Sequence, residues 1–412
     1  MTLAFGRDHL AIPGPSIIPS RVLRAMHRPA PNIYAGELVA ITESILSDLN
    51  RLAGCSGQAV IYIGNGHAAW EAALVNMLAP GERLLGLCNG RFGRGWAGMA
   101  SALGIDVRTL ESTPAEPVDP ARLEQVLHDD TGHRIRAVCT VHSDTSTSTR
   151  NDLAALRGAL DAAGHPALLM VDGICSFGCE PFDMDALGVD VYVTACQKGL
   201  MTPPGLALVF VGERAVAARG NAPRSPYWDW RPRIAPRLFP ERFCGTPPTH
   251  HLYGLREALD MLFEEGREAV WTRHRALAGC VWAALDAWAV HGDIRPLVAQ
   301  RAHRSLAVTA VRLTDGDAER LRDWCEREAG VTLGIGMELQ HVDDSGAATT
   351  RVPGSAQFRI GHMGHLNPPM LLGTLASIDT GFKALGIAHG EGAVSAAGSA
   401  LAAARSVPAA AR

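Results

Sequence analysis

From about residue 59 to residue 212, short and continuous apolar runs alternate with stretches of helical periodicity. The runs occupy residues 59–63, 83–88, 137–141, 167–171, 189–193 and 206–210, and most are rich in Val, Ile and Leu. A strand covered on both faces reads this way, because neither direction of its side chains reaches water. Between several runs lie residues 68–78, 121–127 and 153–163, where apolar positions recur at helical spacing. The pattern predicts an α/β fold: a mostly parallel sheet with helices on both faces and ligands at the carboxyl ends of its strands.

Outside that block the texture changes. Residues 221–248 carry Pro, Arg and aromatics with little period, as an ordered connecting loop does, and 251–290 read as a long helical region. From about residue 303 a smaller α+β unit follows, with strands near 306–313 and 357–360. After Gly392 the chain is almost entirely Ala, Gly, Ser and Arg, which either continues as helix or frays. No internal repeat is visible. The expected division is a large domain over 20–275, a small domain from 1–19 with 276–388, and an Ala-rich tail over 389–412.

Composition narrows the class. A chain of 412 residues exceeds the usual size of one domain. A formal charge of −4 gives no basic footprint for nucleic acid or an anionic membrane. No long uncharged apolar span occurs, and the start Met1-Thr2-Leu3-Ala4-Phe5-Gly6 has neither a basic nor a long apolar segment. The expectation is a soluble cytoplasmic protein. Nine scattered cysteines, mostly in apolar runs, read as free buried thiols, and none has a zinc-ligand spacing. Of 38 Lys and Arg residues only Lys198 and Lys383 are lysines. Lys198 sits in an apolar setting, where Arg cannot replace an amine that must lose its proton and form an imine.

Candidate chemistry clusters at strand ends. The run 167–171 is followed by Asp172-Gly173, and the next run leads to Gln197-Lys198-Gly199. A carboxylate and an amine thus leave neighbouring or near-neighbouring strands on one edge. Pyridoxal phosphate (PLP) needs such a pair: an acid for its pyridine nitrogen and an amine for its aldehyde. The bland alternative is a helix-capping Asp and a Lys whose stem lies along the surface. Ile63 runs into Gly64-Asn65-Gly66-His67, where a turn and a helix starting near Gly66 would aim free amides at an anion. Ala69 breaks the Gly-x-Gly-x-x-Gly dinucleotide pattern, so the phosphate of a small cofactor suits it better. Arg359 stands mid-strand between Phe358 and Ile360 and would pair with a substrate carboxylate or with an internal Asp or Glu.

Taken together these pieces resemble the class V aminotransferases of PLP fold type I, in particular the alanine/serine–glyoxylate branch. The resemblance runs from Ile12-Pro13-Gly14-Pro15 to about Gly386. Its motifs include Gly64-Asn65-Gly66-His67 with Trp70-Glu71-Ala72-Ala73, Asn89-Gly90-Arg91-Phe92-Gly93, and Val141-His142-Ser143-Asp144-Thr145-Ser146-Thr147. Val171-Asp172-Gly173, Gln197-Lys198-Gly199 and Arg359-Ile360-Gly361 complete the set in order. It implies a seven-stranded, mostly parallel sheet with a smaller α+β domain.

The resemblance also implies roles. Lys198 would be the Schiff-base lysine and proton shuttle, and Asp172 would hold the pyridinium nitrogen. Phe92 would stack on the ring, and Thr145 would bond near its phenolic oxygen. Gly66 and His67 would line the phosphate end with help from Gln197, and Ile174 belongs with these cofactor-binding positions. Thr246 would reach the phosphate of a neighbouring subunit, so the active site would need a homodimer. Arg359 would bind the substrate α-carboxylate, with Tyr34 and the Pro13-Gly14-Pro15 turn shaping the side-chain pocket. Three departures bear on phosphate affinity and donor choice: Phe243 for a common Tyr, Ser148 for a usual Gly, and Ser143-Asp144 for Asn-Glu or Gly-Glu.

The expected reaction moves an amino group from serine, alanine or aspartate to glyoxylate or pyruvate, with Lys198 as the base at Cα. Within the fold, a pyridoxamine–pyruvate aminotransferase is a rival, because it shares the Arg-Ile-Gly-His-Met-Gly stretch at 359–364. A lyase or cysteine desulfurase would need a mobile, exposed Cys, whereas Cys325 reads as helical. A non-catalytic PLP-binding regulator would carry a basic DNA-binding module, and a nicotinamide oxidoreductase the full glycine fingerprint.

Overall fold

The computed structural model describes residues 2–218, 225–314, 316–342 and 348–405. Seven strands form the large sheet in the order Gln58–Gly64, Gly205–Val211, Val191–Ala195, Leu168–Asp172, Ile135–Val141, Arg83–Cys88, Asp106–Glu111. Every neighbouring pair is parallel except those made by Gly205–Val211, which is antiparallel to both neighbours. The strand period of two then sorts each run between two cores. Leu169 and Val171 face one layer, with the helices Glu37–Ala53, Leu153–Ala162 and Thr249–Glu265. Leu168 and Met170 face the other, with Gly66–Met77 and Arg91–Ala102. Burial on both faces is why these runs are apolar without alternation.

The helical region at 251–290 is two helices, Thr249–Glu265 and Arg267–Trp288, broken at Gly266 with φ +93°. A second sheet runs His9–Ala11, Val331–Ile335, Gln357–Gly361, Val308–Arg312, Arg295–Pro296. Phe358 and Ile360 point into its own core with Leu321, Cys325, Leu375 and Phe382. Arg359, between them, points the opposite way, towards the large sheet. The helix Ala393–Arg405 buries Ala393 and Ala397 in the same small core.

Within 221–248 the described residues 225–248 hold the short helix Arg231–Ile234 and a 3-10 turn, Phe239–Phe243. All nine cysteines are free, and only Cys244 is exposed. Among the described residues no helix is long and apolar enough to cross a membrane.

Candidate active site

At the carboxyl edge of the large sheet lies a cavity of about 240 Å³, walled by Gly66, His67, Trp70, Phe92, Thr145 and Asp172. Ile174, Cys175, Gln197 and Lys198 close it. The strands Gln58–Gly64, Ile135–Val141, Leu168–Asp172 and Val191–Ala195 all end here, so their following turns converge on one space.

Asp172 is the last residue of the most central of these strands, and it is buried. Its Oδ1 accepts from the Ile174 amide at 2.7 Å and its Oδ2 from Trp70 Nε1 at 2.9 Å. Burial pushes the carboxyl up to about 7, with the Asp144 charge adding to the rise, against the pull of those two donors. Gly173 follows because no side chain fits: a Cβ there would overlap the Tyr192 hydroxyl.

Lys198 leaves the turn after Val191–Ala195 and extends into the cavity. Thr202 Oγ1 donates to the Cys196 carbonyl at 3.1 Å, closing the turn, while Ser16 Oγ donates to the Lys198 carbonyl at 2.7 Å. The ammonium donates to the Pro13 carbonyl. Burial holds the amine below the ordinary lysine range, and the Arg359 charge acts the same way. An amine so placed loses its proton more readily than one in water.

Around these two groups the wall is aromatic. The Trp70 ring lies edge-on to His67 at 4.6 Å and to Phe92 at 6.3 Å, and stacks on Trp96 at 6.1 Å. The helix Gly66–Met77 opens with Asn65 as its cap, whose side chain accepts from the His67 amide at 3.0 Å. Amides of a first helical turn have no partner within the helix and favour an anion. Gly66 admits Ile174, whose Cδ1 a Cβ would overlap. The Gln197 Oε1 is buried beside the cavity with no hydrogen-bond partner.

Arg359 lies behind this wall. Its Nε donates to the Ile335 carbonyl at 2.7 Å and its Nη1 to the Thr145 carbonyl at 2.8 Å. A guanidinium has five N–H groups, so three remain for a carboxylate. Burial lowers it to about 10, which still leaves it a cation at neutral pH.

The structure thus brings together Gly66, His67, Phe92, Thr145, Asp172, Ile174, Gln197 and Lys198 around one cavity, with Arg359 bonded to Thr145. Thr246 and Tyr34 are not brought there: both are exposed and neither lines the cavity, Tyr34 with 74% of its surface open. Phe243 is buried against Phe239, and Cys325 is buried in the helix Asp317–Ala329. Asn65, Trp70, Val141 and Cys175 line the cavity without having been singled out from the sequence. Trp70 appeared only inside a motif, since its bond to Asp172 joins residues 102 apart in sequence and leaves no local signal. Cys175 carries no pattern of its own.

The aminotransferase class-V family model matches residues 20–343. The serine–glyoxylate aminotransferase of Methylorubrum extorquens is 36% identical over 92% of this chain and 93% of its own length. The L-aspartate–glyoxylate aminotransferase of Paracoccus denitrificans is 34% identical, over 92% of each. The solved structure of pyridoxamine–pyruvate aminotransferase from Mesorhizobium loti superposes with a TM-score of 0.85 at 27% identity, covering 98% of this chain and 100% of that one. A strand-end carboxylate, a buried amine and a fold shared along the whole chain agree with that match, and the chain belongs to the class-V aminotransferases.

Proposed function

We propose that this aminotransferase moves an amino group from a small amino acid (serine, alanine or aspartate) to glyoxylate or pyruvate, using pyridoxal phosphate held by Lys198. The observation that carries the reading is the pairing of the Lys198 amine and the Asp172 carboxylate on one cavity. The cavity fits the cofactor in its chemistry: the buried Asp172 carboxylate suits a cationic ring nitrogen, the Lys198 amine suits an aldehyde, and a first helical turn opens on one side. The relatives named for serine–glyoxylate and L-aspartate–glyoxylate transfer support the donors and glyoxylate.

Bound pyridoxal phosphate supplies an aldehyde for the amine and a cationic ring that accepts the electron pair freed at the substrate Cα. Asp172 holds the ring N–H as a carboxylate, and a cation against it draws its pKa down from about 7. Trp70 fixes the plane of that carboxylate. Lys198, its pKa lowered by burial, would take the proton from the substrate Cα and return it at C4′, the former aldehyde carbon of the cofactor. Arg359 meets the α-carboxylate with its remaining N–H groups. Phe92 would cover the ring, the Thr145 hydroxyl would face the phenolic oxygen, and Gly66 and His67 would line the phosphate end, the His67 amide being shared with the Asn65 side chain.

Thr246, exposed on one chain, would serve the site of a partner in a cytoplasmic homodimer, and Tyr34 would shape the substrate side-chain pocket. The same proposal includes the division into a large domain over 20–275 and a small one from 1–19 with 276–388. Purified protein with added cofactor, assayed with serine, alanine, aspartate and glycine against glyoxylate and pyruvate, tests the reading. Lys198→Ala should lose about a thousandfold or more in turnover. A Lys198→Ala protein that works at the wild-type rate would falsify it. Phe243, which lacks the hydroxyl of a Tyr, favours a second reading, transfer from free pyridoxamine to pyruvate. Preference for free pyridoxamine over the amino-acid donors would establish that instead.

A further inference from the structure

The helix Arg91–Ala102 carries Phe92 at its start, yet its N-cap is Gly90, which has no side chain to cap it. Its first amides are satisfied from another segment. Asp144 Oδ2 accepts from the Phe92 amide at 3.0 Å and the Gly93 amide at 3.4 Å, while Ser146 Oγ accepts from the Arg91 amide at 3.0 Å. Asp144 Oδ1 accepts from the Ser146 amide at 2.8 Å and the Ser146 hydroxyl at 2.5 Å. The Asp144 carbonyl also takes the Ser148 amide at 2.7 Å, so the turn is closed by the same residue. A Cβ on Gly90 would overlap the carboxylate, so glycine is what lets helix and turn approach this closely.

The next residue, Thr145, lines the cavity, and its carbonyl holds Arg359 at 2.8 Å. We infer that Asp144 is a positioning residue of the transfer reaction: its carboxylate seats Phe92 on the cavity and fixes the turn that holds Arg359. Four donors converge on its two oxygens and it is fully buried, so only an acceptor-only group fits. A neutral amide at this position sets an NH2 against either the helix amides or Ser146. The Asp144 charge also favours the cationic form of Arg359. This inference rests on the amino-transfer reading, because it assigns Phe92 to the cofactor ring and Arg359 to the substrate carboxylate.

The test compares wild type with Asp144→Asn and Ser146→Ala in the full chain with added pyridoxal phosphate. Cofactor affinity, the circular dichroism induced in the bound cofactor, KM and kcat are measured, and melting is followed alongside. Asp144→Asn should bind the cofactor about tenfold more weakly, the size of losing a helix cap and its charge. Its induced dichroism per bound cofactor should fall, and KM for donor and acceptor should rise more than kcat drops. Ser146→Ala removes one donor and the Arg91 acceptor and should show the same signature at about threefold. If Asp144→Asn does not fold, Ser146→Ala carries the test. Unchanged affinity, dichroism and KM in a folded variant overturn the role of Asp144. A wild type that forms no coloured complex overturns the amino-transfer reading instead.

Discussion

At the scale of single residues, the site turns on how Asp172 is kept available. A carboxylate buried at a strand end would ordinarily stay protonated near neutrality, and the contact proposed for it with the cofactor ring nitrogen needs it ionised. Trp70 and the Ile174 amide each give it one hydrogen bond, the larger benefit going to the charged form. Trp70→Phe keeps a ring in the wall but removes the Nε1 donor, so the Asp172 pKa should rise further above about 7. Cofactor binding should then weaken by about tenfold at neutral pH, as befits a lost bond to a charged acceptor of about 1.5 kcal/mol or more. Binding should recover as pH rises, with a midpoint higher than in wild type. Titrations of cofactor affinity against pH that overlay for the two proteins would contradict this account.

At the scale of elements, turns place the chemistry and glycines let the turns approach. Gly14 has φ +103°, and a Cβ there would overlap the Lys198 side chain from Cδ to Nζ. Gly14→Ala should therefore displace the lysine and cost about 1 kcal/mol or more in folding stability through backbone strain. Reduced cofactor colour with a lowered melting temperature is the expected result; full colour and unchanged KM would show that the turn yields. The first segment was legible as Pro-Gly-Pro, but nothing local says that it folds against a lysine so distant in sequence.

The same limit explains which elements the pattern revealed. Runs such as 83–88 coincide with the strand Arg83–Cys88 because both faces are buried. Asp106–Glu111 sits at the sheet edge with its outer positions open, so its mixed sequence hides it. Arg91–Ala102 holds Gly93, Gly95 and Gly98, which depress helix propensity. Gly93 packs a Cβ's width from the Leu87 carbonyl and Gly95 from Trp70, so tertiary contact makes the helix that propensity withholds. The cavity-lining Asp172 and Lys198, at the ends of apolar strands, were legible for the complementary reason: a charge after such a run has few other uses. Asp144 was visible only as a departure from a familiar motif, since its four partners come from two separate segments.

On the scale of the whole molecule, the two sheets meet through buried polar bolts. Glu180 Oε1 accepts from Ser143 Oγ at 2.8 Å, Ser305 Oγ at 2.7 Å and the Leu306 amide at 3.0 Å, joining the floor of the cavity to the small unit. Two histidines extend this seam. The His274 Nδ1 meets the Val270 carbonyl at 2.7 Å, so its Nε2 is free to accept from the Gly364 amide at 3.0 Å. The His362 Nδ1 meets the Leu306 carbonyl at 2.9 Å, and its Nε2 pairs with Thr309 Oγ1 at 2.9 Å. The Gly364 donor holds His274 neutral, and burial lowers the two pKa values to about 3 and about 4.

Protonating His274 would turn an N–H donor against the Gly364 N–H in a buried place, so the folded state resists it. Because both folded values lie below the unfolded 6.5, this contribution to stability is present above that pH and is lost as pH falls towards 4 and 3. Each histidine should cost about 1.4 kcal/mol per pH unit across that window. Asp172 works in the opposite sense without cofactor, since its raised value favours folding at lower pH, and Asp190 joins it, while His142 and His165, also lowered by burial, act with His274 and His362. The cofactor-free protein should therefore unfold at lower denaturant concentration at about pH 5 than at about pH 7, and His274→Gln or His362→Gln should each lessen that difference in stability by about 2 kcal/mol. If both variants keep the wild-type dependence on pH, the seam is not what acid opens.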